Sequence, residues 1–279
     1  MNPAALFRIT RPANSLFAGI AAIIGYLIAT GTLIPQAWIL LAIVALITAA
    51  GNVINDFFDA EIDAVNRPDR PIPSGAISRT TAHSYAILLF LAGIGLCLFT
   101  TPLCIAIAII NSALLYAYAA RLKRLPLLGN VAVSYLSGSM FIFGGALNGP
   151  GSLLHVIPVA AITFSAMLAR ELFKAAEDIE GDRNGGADTF PIRAGIPVTA
   201  KLAYSCAAFA VAISLIPFLW WGPVYLVGIS IVDGIIIIAA FRGAACTTAD
   251  CIKKSGAATL LKIGFFASLP VFTVSALFL

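Results

Sequence analysis

Asn55, Asp56, Asp59 and Asp63 close the run Asn52-Val-Ile-Asn-Asp-Phe-Phe-Asp-Ala-Glu-Ile-Asp63, with Asn55, Asp59 and Asp63 four residues apart. On a helix that spacing gathers oxygen ligands into one slowly drifting stripe. Like charges so placed repel, costing roughly a few tenths of a kcal/mol per pair, so a purely structural helix gains nothing from them. A second run, Arg170-Glu-Leu-Phe-Lys-Ala-Ala-Glu-Asp-Ile-Glu-Gly-Asp182, repeats the pattern: Asp59-x-Glu61-x-Asp63 is matched by Asp178-x-Glu180-x-Asp182. Either run alone reads equally well as a solvated helix end; two related runs make that the weaker reading. Eleven of the thirteen acidic residues lie between 56 and 69 or between 171 and 188, so negative charge is concentrated where counter-cations are required. Carboxylate and amide oxygens without imidazole or thiolate select Mg2+ or Ca2+ over zinc or copper. Mg2+ keeps waters and shares its shell with substrate phosphates, which suits a few acids from each of two segments. The metal candidates are Asn55, Asp56, Asp59, Asp63, Asp178 and Asp182, and four of these, Asp59, Asp63, Asp178 and Asp182, are the catalytic candidates.

Cations surround both runs. Asn66-Arg67-Pro68-Asp69-Arg70-Pro71-Ile72-Pro73-Ser74-Gly75 is a stiff, proline-rich loop presenting two arginines. Tyr118, Arg121, Lys123 and Arg124 follow a later apolar run, and Arg170 and Lys174 interleave with the second acidic cluster. Guanidinium and ammonium groups beside metal-binding acids make sense when the ligand is itself a polyanion, such as a diphosphate. The substrate-binding candidates are Asn14, Asn52, Arg67, Arg70, Tyr118, Lys123, Arg170 and Lys174; Arg79, Arg121 and Arg124 serve membrane topology equally well. Phe57, Phe58, Tyr116 and Tyr118 offer aromatic faces to a developing carbocation, although ordinary packing suffices for each one singly. His83 and His155 read as loop residues on opposite faces, unsuited to a shared metal or triad. Asp233 stands alone in an apolar run and is expected to make a polar contact inside a bundle.

The elements that must position these groups are membrane helices. Of the 279 residues, 60% are hydrophobic and 11% charged, with a mean hydropathy of +0.98, which excludes an ordinary soluble domain. Apolar runs long enough to cross a bilayer of about 30 Å recur along the chain. We read nine spans, at 14–30, 37–57, 84–100, 103–119, 130–147, 153–173, 200–217, 221–241 and 258–278, forming one all-α membrane domain over 1–279. Pro12 and the lack of a cleavage site argue that the first span is retained. The five cysteines lie singly in or beside apolar runs, so packing is expected of them rather than disulfides or zinc. Threaded alternately, the spans place the basic residues before span one and in or beside the loops after spans two, four, six and eight, while 31–36, 101–102, 148–152 and 218–220 contain no Lys or Arg. The positive-inside rule then sets the amino terminus and the acidic clusters in the cytoplasm and the carboxyl terminus outside. Each cluster follows an even-numbered span, so the chain reads as two four-helix halves with a ninth helix left over.

These residues resemble the UbiA superfamily of intramembrane prenyltransferases. That family has nine helices, an N-D-x-x-D-x-x-x-D motif after the second, an Asp-rich motif after the sixth and a basic Tyr/Lys motif after the fourth. Asn55-Asp56-x-x-Asp59-x-x-x-Asp63 matches the first motif in full. Asn66 to Gly75, Gly129-Asn130, Phe141-Ile-Phe-Gly-Gly145 and Arg170-Glu171-x-x-Lys174 are similar to an archaeal, lipid-forming branch of the family. The resemblance implies a Mg2+ cofactor, an isoprenoid diphosphate donor, a lipid-like glyceryl phosphate acceptor, membrane lipids as surroundings and no nucleic acid. An aromatic acceptor, as in quinone or chlorophyll synthesis, is the alternative. In two places the chain departs from the family pattern: Ala175 stands where an acid is usual, and Tyr118 to Lys123 is one residue longer than the common spacing. A divalent-cation or phosphate transporter is the remote reading, disfavoured because both clusters follow intact spans on one face and the repeat runs parallel.

Overall fold

A computed structural model describes residues 3–277. Among them nine helices reach 18 residues: α1 (Pro12–Thr30), α2 (Trp38–Phe58), α3 (Arg79–Leu96), α4 (Pro102–Ala120), α5 (Leu128–Ala146), α6 (Leu153–Glu177), α7 (Ile196–Ser214), α8 (Phe218–Ala244) and α9 (Ala257–Leu277). Each falls on one of the nine expected runs; position 278 of the last run lies outside the described residues. Eight of the nine are long and apolar enough to cross a membrane, and α5 is not one of them. Its interior carries Ser134, Ser137, Ser139, Gly138, Gly144 and Gly145, all buried. Small residues let backbones approach: a Cβ on Gly144 would stand 1.9 Å from the Ala22 carbonyl oxygen of α1, and one on Gly25 would stand 2.2 Å from that of Phe141. Helix α5 is therefore less apolar because it is packed against other helices rather than against lipid.

The chain has two apolar cores. One gathers α1 to α5 around Leu40, Ile43, Val53 and Phe143; the other gathers α5 to α9 with α1 around Phe141, Phe173, Tyr225 and Phe272. Both α1 and α5 contribute to both cores: Ala22 and Phe143 face one, Ala21 and Phe141 the other. The ninth helix is not an appendage, since it packs on α8, α6 and α1.

Three expectations are corrected. His83 and His155 lie inside α3 and α6 rather than in loops, because α3 begins at Arg79, capped by the Ser78 hydroxyl accepting from the Thr81 N–H. Cys246 and Cys251 form a disulfide across the turn between α8 and the short helix Ala249–Ser255; five residues of separation and a Cα–Cα distance of 5.4 Å permit a bond that isolated spacing did not signal. Cys97, Cys104 and Cys206 remain free. Finally, the acidic stripes do not ride on unbroken helices. Helix α2 stops at Phe58 and a short helix, Ala60–Asn66, restarts after Asp59; α6 stops at Glu177 and Ile179–Asn184 restarts after Asp178.

Candidate active site

The two breaks have the same backbone geometry. Asp59 has φ −87° and ψ 0°, and Asp178 has φ −92° and ψ 6°, the sparsely populated bridge region between helix and strand. The N–H of Asp63 still bonds the Asp59 carbonyl at 2.8 Å, and that of Asp182 the Asp178 carbonyl at 2.9 Å, so each break bends the stripe without dispersing it.

Around the first cluster every acid has a cationic or amide partner. Asp59 receives Lys123 Nζ at 2.5 Å and Asn55 Nδ2 at 2.9 Å, and the same ammonium donates to Asn55 Oδ1 at 3.1 Å. Burial lowers the Lys123 pKa, and the hydrogen bond to Asp59 opposes that shift. Arg70 Nη1 lies 2.5 Å from Asp63 and 3.1 Å from Asp56, whose carboxylate also takes Arg11 Nη2 at 2.5 Å. Arg11 escapes sequence reading because it looks like one more cytoplasmic arginine. It holds a left-handed backbone, φ 50° and ψ 67°, immediately before Pro12, and its side chain reaches Asp56 from there. Asn52 Nδ2 donates to the Thr10 carbonyl at 3.0 Å, and Asn14 Nδ2 lies 3.5 Å from Asn52 Oδ1, so these two asparagines fasten the amino-terminal turn beneath the cluster. Arg67 is exposed and makes no ion pair among the described residues, leaving its guanidinium available to a ligand.

The second cluster is more open. Asp178 and Lys174 are exposed and Asp182 is half-buried; Arg170 pairs with Glu171, while its buried Nε–H has no acceptor. Burial raises the Asp182 carboxyl above the usual range and nearby Asp178 adds to the rise, so a cation beside it would favour its ionised form. Ala175 occupies the place of the missing acid.

Tyr118, near the end of α4, feels the charges of Asp59, Glu171 and Asp182, carboxylates of both clusters. The Asp188 N–H bonds the Arg124 carbonyl at 3.0 Å, tying the segment after the second cluster to the turn that carries Lys123. Gly129, at the start of α5, permits that turn to pack closely, since a Cβ there would stand 2.9 Å from the Lys123 Cα. Its neighbour Asn130 donates to the Glu171 carbonyl at 3.2 Å. In contrast, Phe57, Phe58, Tyr116 and His83 pack on one another with ring centroids 4.9–6.5 Å apart, and Arg79 covers Phe57 at 5.0 Å, which is the packing reading.

Among the described residues no three His, Cys, Asp or Glu side chains converge to hold a metal by themselves. The donor set nevertheless fits Mg2+ shared with a phosphate, which needs only one or two carboxylates from the protein.

Residues 15–269 match the UbiA prenyltransferase family. The chain belongs to this family. The digeranylgeranylglyceryl phosphate synthase of Methanoregula boonei is 60% identical over 98% of both chains, and that of Methanoculleus marisnigri 56% identical over 99% of both. A solved structure described as concerning digeranylgeranylglyceryl phosphate synthase in membranes superposes with a TM-score of 0.87 at 33% identity, covering 99% of each chain. A UbiA homolog from Archaeoglobus fulgidus, solved with GPP and Mg2+, shares the fold at a TM-score of 0.70 and 18% identity, covering 96% of this chain and 99% of its own. This UbiA prenyltransferase is thus a multi-pass membrane enzyme.

Proposed function

We propose that the enzyme transfers the geranylgeranyl group of geranylgeranyl diphosphate to the glycerol 2-hydroxyl of 3-O-geranylgeranylglyceryl phosphate, forming the second ether bond of archaeal membrane lipids. The observation that carries this reading is the 60% identity over nearly the whole chain to a digeranylgeranylglyceryl phosphate synthase. Asn55, Asp59 and Asp63, with Asp178 and Asp182 opposite, would hold Mg2+, which when bound supplies positive charge to the leaving diphosphate. Lys123 and Arg67 share that charge from the protein side, favouring departure of the diphosphate from the allylic carbon. Arg70 and Arg11 keep Asp56 and Asp63 in place. The acceptor hydroxyl then forms the new carbon–oxygen bond as the bond to diphosphate breaks, and its proton passes to a cluster carboxylate or to the departing diphosphate.

In our reading all nine long helices span the bilayer, α5 among them because its neighbours shield its serines and glycines. The basic residues fall before α1 and in or beside the connections after α2, α4, α6 and α8, which supports a cytoplasmic amino terminus and active-site face with the carboxyl terminus outside. Isoprenoid chains then lie between helices and exchange sideways with lipid. The test is purified protein with geranylgeranyl diphosphate, Mg2+ and a panel of acceptors. Turnover confined to the glyceryl phosphate ether is expected; turnover confined to 4-hydroxybenzoate or a quinone precursor would replace this reading.

A further inference from the structure

The site described so far supplies cations for a diphosphate, but the proposed reaction also brings a second anion, the phosphate monoester of the acceptor. The internal repeat indicates where its cation stands. A constant shift of 119 residues carries Asp59 onto Asp178, Asp63 onto Asp182 and the end of α2 at Phe58 onto the end of α6 at Glu177. The same shift carries α3 onto α7 within two residues and α4 into α8. It carries Lys123, the cation that holds Asn55 and Asp59, onto Arg242.

Arg242 lies in the last turn of α8. Its neighbour Gly243 is pressed against the Phe173 ring, where a Cβ would come within 2.4 Å, and Phe173 sits one turn before Glu177 on α6. Unlike Lys123, the guanidinium is committed to no carboxylate among the described residues: Arg242 is exposed and its side chain makes no hydrogen bond or ion pair with any of them. It lines an open basin of about 500 Å³ with Thr248, Asp250, Lys254 and Ser255, on the segment stapled by Cys246–Cys251. Lys254 is held by Asp250 at 2.6 Å. Lys253, from the same short helix, reaches electrostatically to Glu177 on α6, as do Arg170 and Lys174. Three further cations thus converge on the end of α6 from two elements, and the helix Ala249–Ser255 packs directly against α6.

We infer that Arg242, supported by Lys253, is the second half's counterpart of Lys123 and binds the phosphate monoester of the acceptor. A guanidinium with no carboxylate partner is free to make the paired hydrogen bonds that a terminal phosphate accepts. The two halves thereby divide the anions, the first holding the diphosphate and the second the monophosphate. This rests on the proposed acceptor, and the test separates the two claims.

Binding of the glyceryl phosphate ether and of its dephosphorylated alcohol to the resting protein, without donor, should favour the phosphate at least tenfold in wild type. Arg242→Gln should abolish that preference, and Arg242→Lys should restore part of it, which a folding defect would not do. In turnover, R242Q should raise the acceptor KM more than tenfold and the donor KM less than twofold. Equal phosphate preference in wild type and R242Q overturns the assignment, as does a loss seen only in vesicles containing anionic lipid, which would make Arg242 a headgroup contact. Wild-type protein that shows the phosphate preference but no transfer would refute the proposed reaction while leaving the phosphate site standing.

Discussion

At the scale of single residues, Asp59 is the most committed group in the molecule's chemistry. It closes α2, bends the chain and receives both Lys123 and Asn55. Asp59→Asn should lower Mg2+-dependent transfer by about 100-fold or more, since it removes a negative charge that would hold Mg2+ against the leaving diphosphate. Folded D59N protein with full activity would remove Asp59 from the site. Arg11 and Asp56 make a different kind of pair. The Asp56 side chain is 6% exposed and Arg11 39%, so the pair is partly screened. Arg11→Gln should cost roughly 1–2 kcal/mol of stability, below the range for fully buried pairs, and Asp56→Asn in the same chain should recover part of it. Additive losses in thermal or denaturant unfolding would mean that the two side chains do not depend on one another. Arg11 was the residue least legible beforehand. Its role comes from a left-handed backbone before Pro12 and a partner 45 positions away, and neither appears in local sequence. The stripe of Asn55, Asp59 and Asp63 was legible because four-residue spacing survives the bend after Phe58.

Among the elements, apolar run length located all nine long helices within a few residues, because burial in hydrocarbon is set by local composition. Packing partners were less accessible: the small residues of α5 are visible in the sequence, but not that its glycines matter through backbone atoms of α1 and α6. Gly144→Ala should destabilise the protein by about 1–3 kcal/mol or more, because the Ala22 carbonyl occupies the space a Cβ needs. Gly234→Ala on α8, where no atom lies within 4 Å of the added Cβ, should be tolerated, and similar unfolding of the two variants would count against the tight crossing. The turn after α8 offers a covalent check. Titration of denatured protein without reductant should find three thiols, Cys97, Cys104 and Cys206, rising to five after reduction. Five thiols before reduction would exclude the Cys246–Cys251 bond. The cysteine pattern misled because two cysteines five apart across a helix end have no spacing signature; only the fold of the turn brings them together.

For the whole molecule, polar groups are sorted by depth. Asp233 accepts from Ser214 Oγ at 2.6 Å, and Tyr225 donates to the Ser214 carbonyl at 2.7 Å, a buried set joining α7 to α8 and making no contact with the acidic clusters. Asp233→Asn should keep transfer activity within about twofold while lowering stability by about 1 kcal/mol. A large loss of activity in folded D233N would show that the α7–α8 pair communicates with the catalytic face. The sharing of α1 and α5 between the two cores bears on where such a chain came from. Each four-helix half lends its first helix to the other half's interior, so neither half can complete a core from its own helices. A primitive protein of four helices would have had to borrow the missing surface from a second copy of itself, closing as a two-fold dimer by mutual exchange. Gene duplication would then have written both copies into one chain. In the present chain the two matching positions differ, an acid at 56 and an alanine at 175.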